Sequence, residues 1–376
     1  MKKLILSVIL FPFVACAQPD VTRIRVNAEN YGAERMNLAW ATPDSDFKVE
    51  PLMLENGKAE ITINAPSGTS LTLANLDPRN RITTEQGMIP GPAFSFYAEK
   101  GTIDISFDAD RWPEVTIKGG AMNNDLNRYW EEMGPLEAKI FEATRRRVAL
   151  SGDTNEYSDT EAEKVREEQV RVQERFIAGN PGSIVALDIL DRRFIQYSLT
   201  DFEARFNELS KRVRESEKGK AIAEKIARAN EVAQGKPAPQ FTKKDKDGNV
   251  MSLSDYKGRY VLLDFWGTWC GPCRASHPHL VELYEKYSPL GLEFISIAQE
   301  GGNDPRPKWL NAIITDGLVW TQILNDEGRD EYDVISLYSI RAFPTKVLID
   351  PQGKIVSTWI GDSPETDEKL REIFGV

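Results

Sequence analysis

The chain has 376 residues, of which 41% are hydrophobic and 28% are charged, and its formal net charge is −11 at pH 7. A length of this order corresponds to about two or three domains. The composition is typical of soluble domains with packed cores. The acidic balance argues against nucleic acid as a partner, because phosphate contacts require clustered Lys and Arg.

Residues 1–17 have the pattern of a signal peptide. Two lysines precede the apolar stretch 4–14, which is shorter than the ~20 residues that span a bilayer. Two cleavage sites fit. The run 13–16 (FVAC) resembles a lipobox and would leave Cys16 lipidated as the first mature residue, whereas 15–17 (ACA) fits an ordinary signal peptidase site. The apolar stretch directly abuts Cys16, which favours the lipoprotein. Both interpretations predict export to the cell envelope or periplasm, and membrane contact is expected only through a lipid anchor in the case that Cys16 is lipidated.

The rest of the chain is predicted to form three regions, which together give a multidomain α+β protein. Residues 20–118 contain short runs of alternating apolar and polar residues, such as 103–107 (IDISF), and we expect a small antiparallel β-sandwich. Residues 123–232 carry apolar residues at helical spacing and are predicted to be a helical segment. Residues 234–376 alternate strands and helices, which predicts a three-layer α/β domain.

In this last region the predicted elements follow one another closely. In chain order they are a strand at 260–265, a helix at 273–287, a strand at 293–298, a helix at 307–315, strands at 345–349 and 354–360, and a helix at 366–374.

The cysteines indicate redox chemistry. Of the three in the chain, Cys16 lies in the signal region, so only Cys270 and Cys273 can pair within the mature fold. A bridge across two residues closes almost no loop and stabilises little. The pair opens a helix directly after a strand, where the helix dipole lowers the pKa of a thiol such as Cys270. We therefore expect Cys270 to attack a substrate disulfide and Cys273, one turn on, to resolve the mixed disulfide.

The alternative for a CxxC pair is one half of a zinc site. The two histidines of the chain, His277 and His279, lie just downstream. Two residues apart on a helix, they point to nearly opposite sides, so both cannot join the cysteines around one ion. We expect surface histidines, no metal and no cofactor, with His277 close enough in sequence to influence the electrostatics of Cys273.

The run 264–273 (DFWGTWCGPC) resembles the active-site segment of thioredoxins and of their TlpA/ResA-like envelope branch. The resemblance implies a thioredoxin-like domain at 234–376. It extends more loosely to the preceding region, which resembles the N-terminal region of unknown function found on many such envelope proteins.

The segment 341–345 (RAFPT) resembles the one that carries the cis-proline of this family. By this resemblance Pro344 lies beside the disulfide, and the backbone of Phe343 pairs with an extended substrate. The predicted substrate-binding residues are Trp269, Phe343, Gly271 and Pro272.

Asp264 is a carboxylate within an apolar run. It matches the buried aspartate that thioredoxins use as proton acceptor for the resolving cysteine, so we expect it to be the general base for Cys273. The alternative is a strand-end residue turned to solvent. One position departs from the family, because many TlpA/ResA-like proteins carry a glutamate where this chain has Ser276, and the role of that acid cannot be transferred.

The sequence thus predicts an envelope thiol–disulfide oxidoreductase that reduces or exchanges disulfides in exported proteins. The Gly-Pro dipeptide between the cysteines is typical of a pair that acts as a reductant. A reductant in the envelope requires an electron donor in the membrane. Reduction of apocytochrome cysteines in cytochrome c biogenesis suits the family. Two alternatives remain: a thiol peroxidase, which would carry Thr or Ser at the position of Gly267, and a binding protein with a non-essential CxxC.

Overall fold

The computed structural model describes residues 21–42, 47–84, 87–89, 91–151, 160–302, 304–328 and 332–376. The predicted signal peptide and the lipidation candidate Cys16 lie outside this set. Within it, the strands are β1 (Val21–Glu29), β2 (Arg35–Ala41), β3 (Phe47–Met53), β4 (Lys58–Asn64), β5 (Ser70–Ala74), β6 (Ile82–Thr84), β7 (Gly87–Ile89), β8 (Phe94–Tyr97), β9 (Gly101–Asp108), β10 (Val115–Lys118), β11 (Thr242–Lys244), β12 (Val250–Ser252), β13 (Tyr260–Trp266), β14 (Leu292–Ala298), β15 (Thr321–Leu324), β16 (Thr345–Ile349) and β17 (Ile355–Ile360).

The helices of the same residues follow the β-rich region and alternate with the later strands. They are α1 (Ala121–Ser151), α2 (Thr160–Gly179), α3 (Ile184–Arg192), α4 (Leu199–Glu208), α5 (Lys211–Arg214), α6 (Glu217–Glu231), α7 (Gly271–Tyr287), α8 (Arg306–Asp316), α9 (Val334–Leu337) and α10 (Pro364–Phe374). In the part of the chain that the structure covers, none of them combines the length and apolarity needed to cross a membrane.

The chain divides into two compact units. One contains the residues up to 190 together with 208–213, and the other contains 191–207 together with 214–376. The helical segment is therefore shared between the units, with α1 and α2 in the first and α6 in the second. The domain bounds drawn from the sequence stay predictions.

The first unit is rich in β-structure, as predicted. Its two four-stranded sheets have the orders β10-β9-β1-β4 and β3-β2-β5-β8. Buried and exposed residues alternate along β1 and β9, which gives these strands one core-facing side. One detail differs from the prediction, because β1 pairs with β9 in parallel. Alternation identifies the buried face of a strand, but it carries no information about the direction of the neighbouring strand.

The second unit contains a five-stranded mixed sheet. Its order is β15-β14-β13-β16-β17, with β13, β14 and β15 parallel and with β16 and β17 antiparallel to their neighbours. The predicted elements of this region all form, with ends that shift by two residues or fewer. The sequence analysis did not predict β15, since a strand of four residues is too short to show the alternation of apolar and polar residues by which strands are identified.

Alternate residues of the central strand β13 enter two separate cores. Leu262 and Trp266 pack on the face that carries buried residues of α7, α8 and α10. Leu263 and Phe265 pack on the opposite face. Both cysteines belong to the first core, so the sheet face that contacts α7 is the one that supports the redox pair.

Candidate active site

Cys270 is the N-cap residue of α7. Its N–H donates to the carbonyl of Gly267 at 3.0 Å, which closes the turn between β13 and the helix. The N–H of Cys273 donates to Cys270 Sγ at 3.2 Å, and the two sulfurs form a disulfide with a Cα–Cα distance of 5.3 Å. A backbone N–H of the first helical turn therefore donates to Cys270 Sγ, an arrangement that can stabilise a thiolate at a helix N-terminus.

The two cysteines differ in burial. Cys270 keeps 5% of its surface exposed, whereas Cys273 has none. The intervening Gly271 and Pro272 are exposed. An incoming disulfide therefore meets Cys270 first.

An aromatic surface lies next to the disulfide. Trp269 is 56% exposed, and its ring meets that of Phe343 edge to face at a centroid distance of 5.5 Å. Trp269 Nε1 donates to the carbonyl of Gln299 at 2.9 Å. A Cβ at position 267 would lie 2.7 Å from Trp269 Nε1, so Gly267 is required for this position of the indole.

Pro344 directly follows Phe343, whose ring contacts Trp269. The peptide bond between these two residues is cis, and the carbonyl of Pro344 accepts from the N–H of Gly361 at 2.8 Å. The structure therefore places the 341–345 segment next to the loop that precedes Cys270.

Asp264 lies in the middle of β13 and is 3% exposed. The alternative interpretation, a strand-end residue turned to solvent, is therefore wrong. Its Oδ2 accepts a hydrogen bond from Ser296 Oγ at 3.0 Å. Residues two positions away on either side belong to the core that also contains Cys273, so the carboxylate faces that core.

The expectation of two surface histidines is wrong for His277, which is 1% exposed. Its Nδ1 lies 2.6 Å from Asp316 Oδ2, and Arg274 also pairs with this carboxylate. Burial alone would raise the pKa of Asp316, but the hydrogen bonds from Arg274 and His277 lower it below its ordinary value. The helical spacing of apolar residues could not predict the burial of His277, because histidine is polar and does not count toward that pattern.

His279 pairs elsewhere. Its Nδ1 lies 3.2 Å from Asp362 Oδ1 and its Nε2 lies 3.1 Å from Asp367 Oδ1. Desolvation opposes protonation, but the bonds to the two carboxylates raise the pKa of His279 above its ordinary value.

Ser276, at the position of the family's glutamate, is buried and donates from Oγ to the carbonyl of Cys273 at 3.0 Å.

Glu300 is a site residue that the sequence analysis missed. Its side chain is 1% exposed and accepts two hydrogen bonds of 2.6 Å, from the N–H and from Oγ1 of Thr268. It follows β14 and thus lies at the carboxyl edge of the parallel strands, where β13 also ends. Functional sites of α/β folds commonly lie at this edge of the sheet. An acidic residue just after β14 could therefore have been identified from the sequence as a candidate site residue.

Comparison with known proteins identifies the family. The AhpC/TSA family model matches residues 234–358. A thiol-disulfide oxidoreductase ResA of Bacillus thuringiensis is 37% identical over 136 residues, which are 36% of this chain and 73% of that protein. The ResA of Bacillus subtilis is 30% identical over 135 residues, 36% of this chain and 72% of that protein. The chain belongs to the ResA family.

Solved structures of similar sequence carry related names. The thioredoxin domain of a thiol-disulfide oxidoreductase from Bacteroides vulgatus is 33% identical, covers 38% of this chain and 98% of its own, and has a TM-score of 0.34. A thiol:disulfide interchange protein from a Bacteroides species is 32% identical, with 39% and 92% coverage and a TM-score of 0.34. The ResA relatives and the match to the AhpC/TSA family model, rather than these structures, show that this chain is a protein-disulfide oxidoreductase with a thioredoxin-like C-terminal domain, so the predicted reaction class is confirmed.

Proposed function

We propose that this ResA-like protein reduces or exchanges disulfides in exported proteins, with Cys270 as the attacking and Cys273 as the resolving cysteine. The observation that carries this assignment is the position of Cys270 as N-cap of α7, where its sulfur accepts the Cys273 N–H and is the more exposed of the pair. Helix N-termini stabilise thiolates, and the thiolate is the attacking form.

The reaction starts from the dithiol. The Cys270 thiolate attacks one sulfur of the client disulfide, forms a mixed disulfide and releases the other client sulfur as a thiolate. Cys273 then loses its proton, attacks Cys270 Sγ and expels the second client thiolate. The client gains two electrons; one of its two thiolates is balanced by the proton that Cys273 loses, the other takes a proton from solvent, and the protein is left with the Cys270–Cys273 disulfide.

The remaining site residues have supporting roles in this proposal. Asp264 accepts the proton of Cys273, because it is a buried carboxylate on the sheet face that packs against this cysteine. Trp269, Gly271 and Pro272 present an exposed surface beside the disulfide, and the backbone of Phe343, before Pro344, pairs with an extended client segment.

The cellular setting is part of the same proposal. The pattern at 1–17 supports export to the periplasm or cell envelope, with Cys16 as the anchored residue if the lipobox is used. An envelope reductant needs electrons from a membrane donor, since no soluble thiol pool maintains it there. Apocytochrome cysteines in cytochrome c biogenesis are a fitting class of client.

Trapping tests this assignment. Cys273→Ala in the full-length protein should accumulate mixed disulfides with envelope proteins, visible on non-reducing gels and released by dithiothreitol. The matched variant Cys270→Ala should accumulate none. If Cys270→Ala traps clients and Cys273→Ala does not, the roles are reversed, and if neither variant traps any protein, the proposed activity on exported proteins is wrong.

A further inference from the structure

Strand β17 forms one edge of the five-stranded sheet. It pairs with β16 on one side, and the linker that follows α6 covers only the beginning of its other side. There the N–H of Gly235 donates to the carbonyl of Ile355 at 2.7 Å, and the N–H of Ile355 donates to the carbonyl of Lys236 at 2.9 Å. Beyond this point, residues 357–360 have no strand on that side within the described chain. Alternate N–H and C=O groups of such an edge point away from the sheet and can pair with another extended chain.

A groove runs along this uncovered edge. Its cavity volume is about 510 Å³, and residues 357–360 of β17 belong to its lining. The helical segment contributes residues 197–199, at the start of α4, and residues 232–234, just after α6. All of these residues lie in the second compact unit, so the groove is a feature of a single body.

The helical side of the groove is attached to the redox domain at Arg341. Nη1 of Arg341 donates to the carbonyl of Phe194 at 3.3 Å, and the guanidinium carbon lies 4.1 Å from the centroid of the Phe194 ring. Nζ of Lys225, on α6, lies 4.4 Å from the centroid of the same ring. Cation–π contacts of this length are favourable. Together with the backbone bonds at Ile355, they hold the helical segment beside the sheet, so the groove is preformed.

The groove reaches the end of the sheet that carries the disulfide. The strand register places Thr345 of β16 between Ile360 of β17 and Phe265 of β13. Thr345 and Ile360 both line the groove. Thr345 directly follows the cis-proline Pro344, and Phe265 precedes Cys270 by five residues. An extended chain that pairs with the edge of β17 is therefore led towards the redox pair as it passes Ile360.

The lining of the groove fits an uncharged extended segment. In the described chain its charged residues are Arg341 and Glu365, which carry opposite charges. The other lining side chains include hydroxyl groups and apolar groups, among them Ser198, Ser357, Thr358, Leu199, Val232 and Ile340. A strand rises about 3.3 Å per residue, so the free edge at 357–360 accommodates about four residues of a partner chain.

We propose that this groove binds an extended segment of the client protein, which adds a strand to the free edge of β17 while the client's cysteine reacts with Cys270. The inference rests on the proposed function and extends it, because it gives the helical segment a part in client recognition. The client is the favoured occupant since the groove leads to the disulfide that the client must reach. Main-chain hydrogen bonds to a strand edge supply affinity without requiring one sequence, which suits an enzyme with unfolded exported proteins as clients.

Crosslinking tests where the client lies. The photoreactive residue p-benzoylphenylalanine is placed at the exposed position 358 of the full-length Cys273→Ala protein. An uncharged peptide with one central cysteine is then joined to Cys270 as a mixed disulfide. Irradiation should crosslink the peptide to position 358. The control carries the same photoreactive residue in place of Val250, which is 68% exposed on β12 and does not line the groove, and it should give little crosslinking.

Kinetics test what the helical segment contributes. Leu199→Ala and Val232→Ala each remove apolar surface from the groove, so KM for insulin should rise about fivefold with little change in kcat. The rate with oxidised glutathione should stay at the wild-type value, because this small disulfide does not extend along β17. A merely structural defect would lower both rates. Val170→Ala, which truncates a side chain that is 41% exposed on α2, is the matched control and should change neither.

The outcomes distinguish this inference from the proposed function. If position 358 crosslinks the peptide no better than position 250, or if both groove variants keep the wild-type KM for insulin, the inference is wrong while the disulfide chemistry stands. Crosslinks between two copies of the chain in place of the peptide also overturn it, since the edge then binds a second copy. A wild-type protein that does not reduce insulin overturns the proposed function and this inference together.

Discussion

Nδ1 of His277 lies 2.6 Å from Oδ2 of Asp316, and Arg274 forms hydrogen bonds to both oxygens of the same carboxylate. The two donors are on α7, one and four residues after Cys273, and the acceptor is the last residue of α8. A single carboxylate thus ties the first turns of the active-site helix to the neighbouring helix. The carboxylate is only 11% exposed, so little solvent weakens these bonds.

Asp316→Asn should destabilise the protein by about 2 kcal/mol, because it removes the charge from hydrogen bonds to two buried or half-buried donors. Urea unfolding monitored by tryptophan fluorescence measures this. Asp304→Asn, which neutralises a carboxylate just before α8, is the control. Equal effects of the two substitutions would contradict the importance of the shared carboxylate.

The same contact predicts an acid-sensitive component of stability. The pKa of Asp316 is lowered in the folded protein from 3.8, so its contribution is complete above about pH 4 and is lost as the pH falls through the folded value. The loss of unfolding free energy between pH 5 and pH 3 should therefore be smaller in Asp316→Asn than in wild type. An identical slope in both proteins would be inconsistent with the ion pair.

His279 should give the opposite dependence. Its pKa is raised above 6.5 in the folded state by Asp362 and Asp367, so its contribution is complete below about pH 6 and is lost as the pH rises through the folded value. The effect should be about 1 kcal/mol or less, since all three side chains are partly exposed. Comparing His279→Gln with wild type by urea unfolding at pH 6 and pH 8.5 measures it; a variant that retains the full pH slope would count against this pairing.

Glu300→Ala should loosen the loop before Cys270. The substitution leaves the N–H of Thr268 without its acceptor and removes a charge-assisted bond to the hydroxyl, so we expect a loss of about 2 kcal/mol and severalfold slower insulin reduction. Glu285→Ala, at an exposed position of α7, is the matched control for removing a glutamate. Wild-type stability and rate in Glu300→Ala would show that the loop does not depend on this carboxylate.

Trp269→Ala should weaken recognition of protein clients. An exposed aromatic anchor of this kind contributes on the order of 1–2 kcal/mol, so kcat/KM for insulin should fall about tenfold, mainly through KM. The rate with a small linear disulfide such as oxidised glutathione should change little. Ile314→Ala removes a side chain that is 80% exposed on α8 and should affect neither. Equal losses with both substrates would place Trp269 in the chemistry rather than in client binding.

The sequence alone determined the reaction class. A CxxC pair between an apolar strand and a helix has one common chemical use, and both elements were visible from local patterns at 260–265 and 273–287. The burial of Asp264 was also predictable, because the residues on both sides of it are apolar. These inferences depend on residues close together in the chain.

The tertiary structure decided which distant side chains meet. Glu300 caps the loop at Thr268, and Asp316 holds His277, yet neither of these pairs is close in sequence. A local pattern reports which face of an element is buried. It does not report strand order or register, because these depend on how surfaces from separate parts of the chain pack together, and the partners of buried charges are chosen at that level.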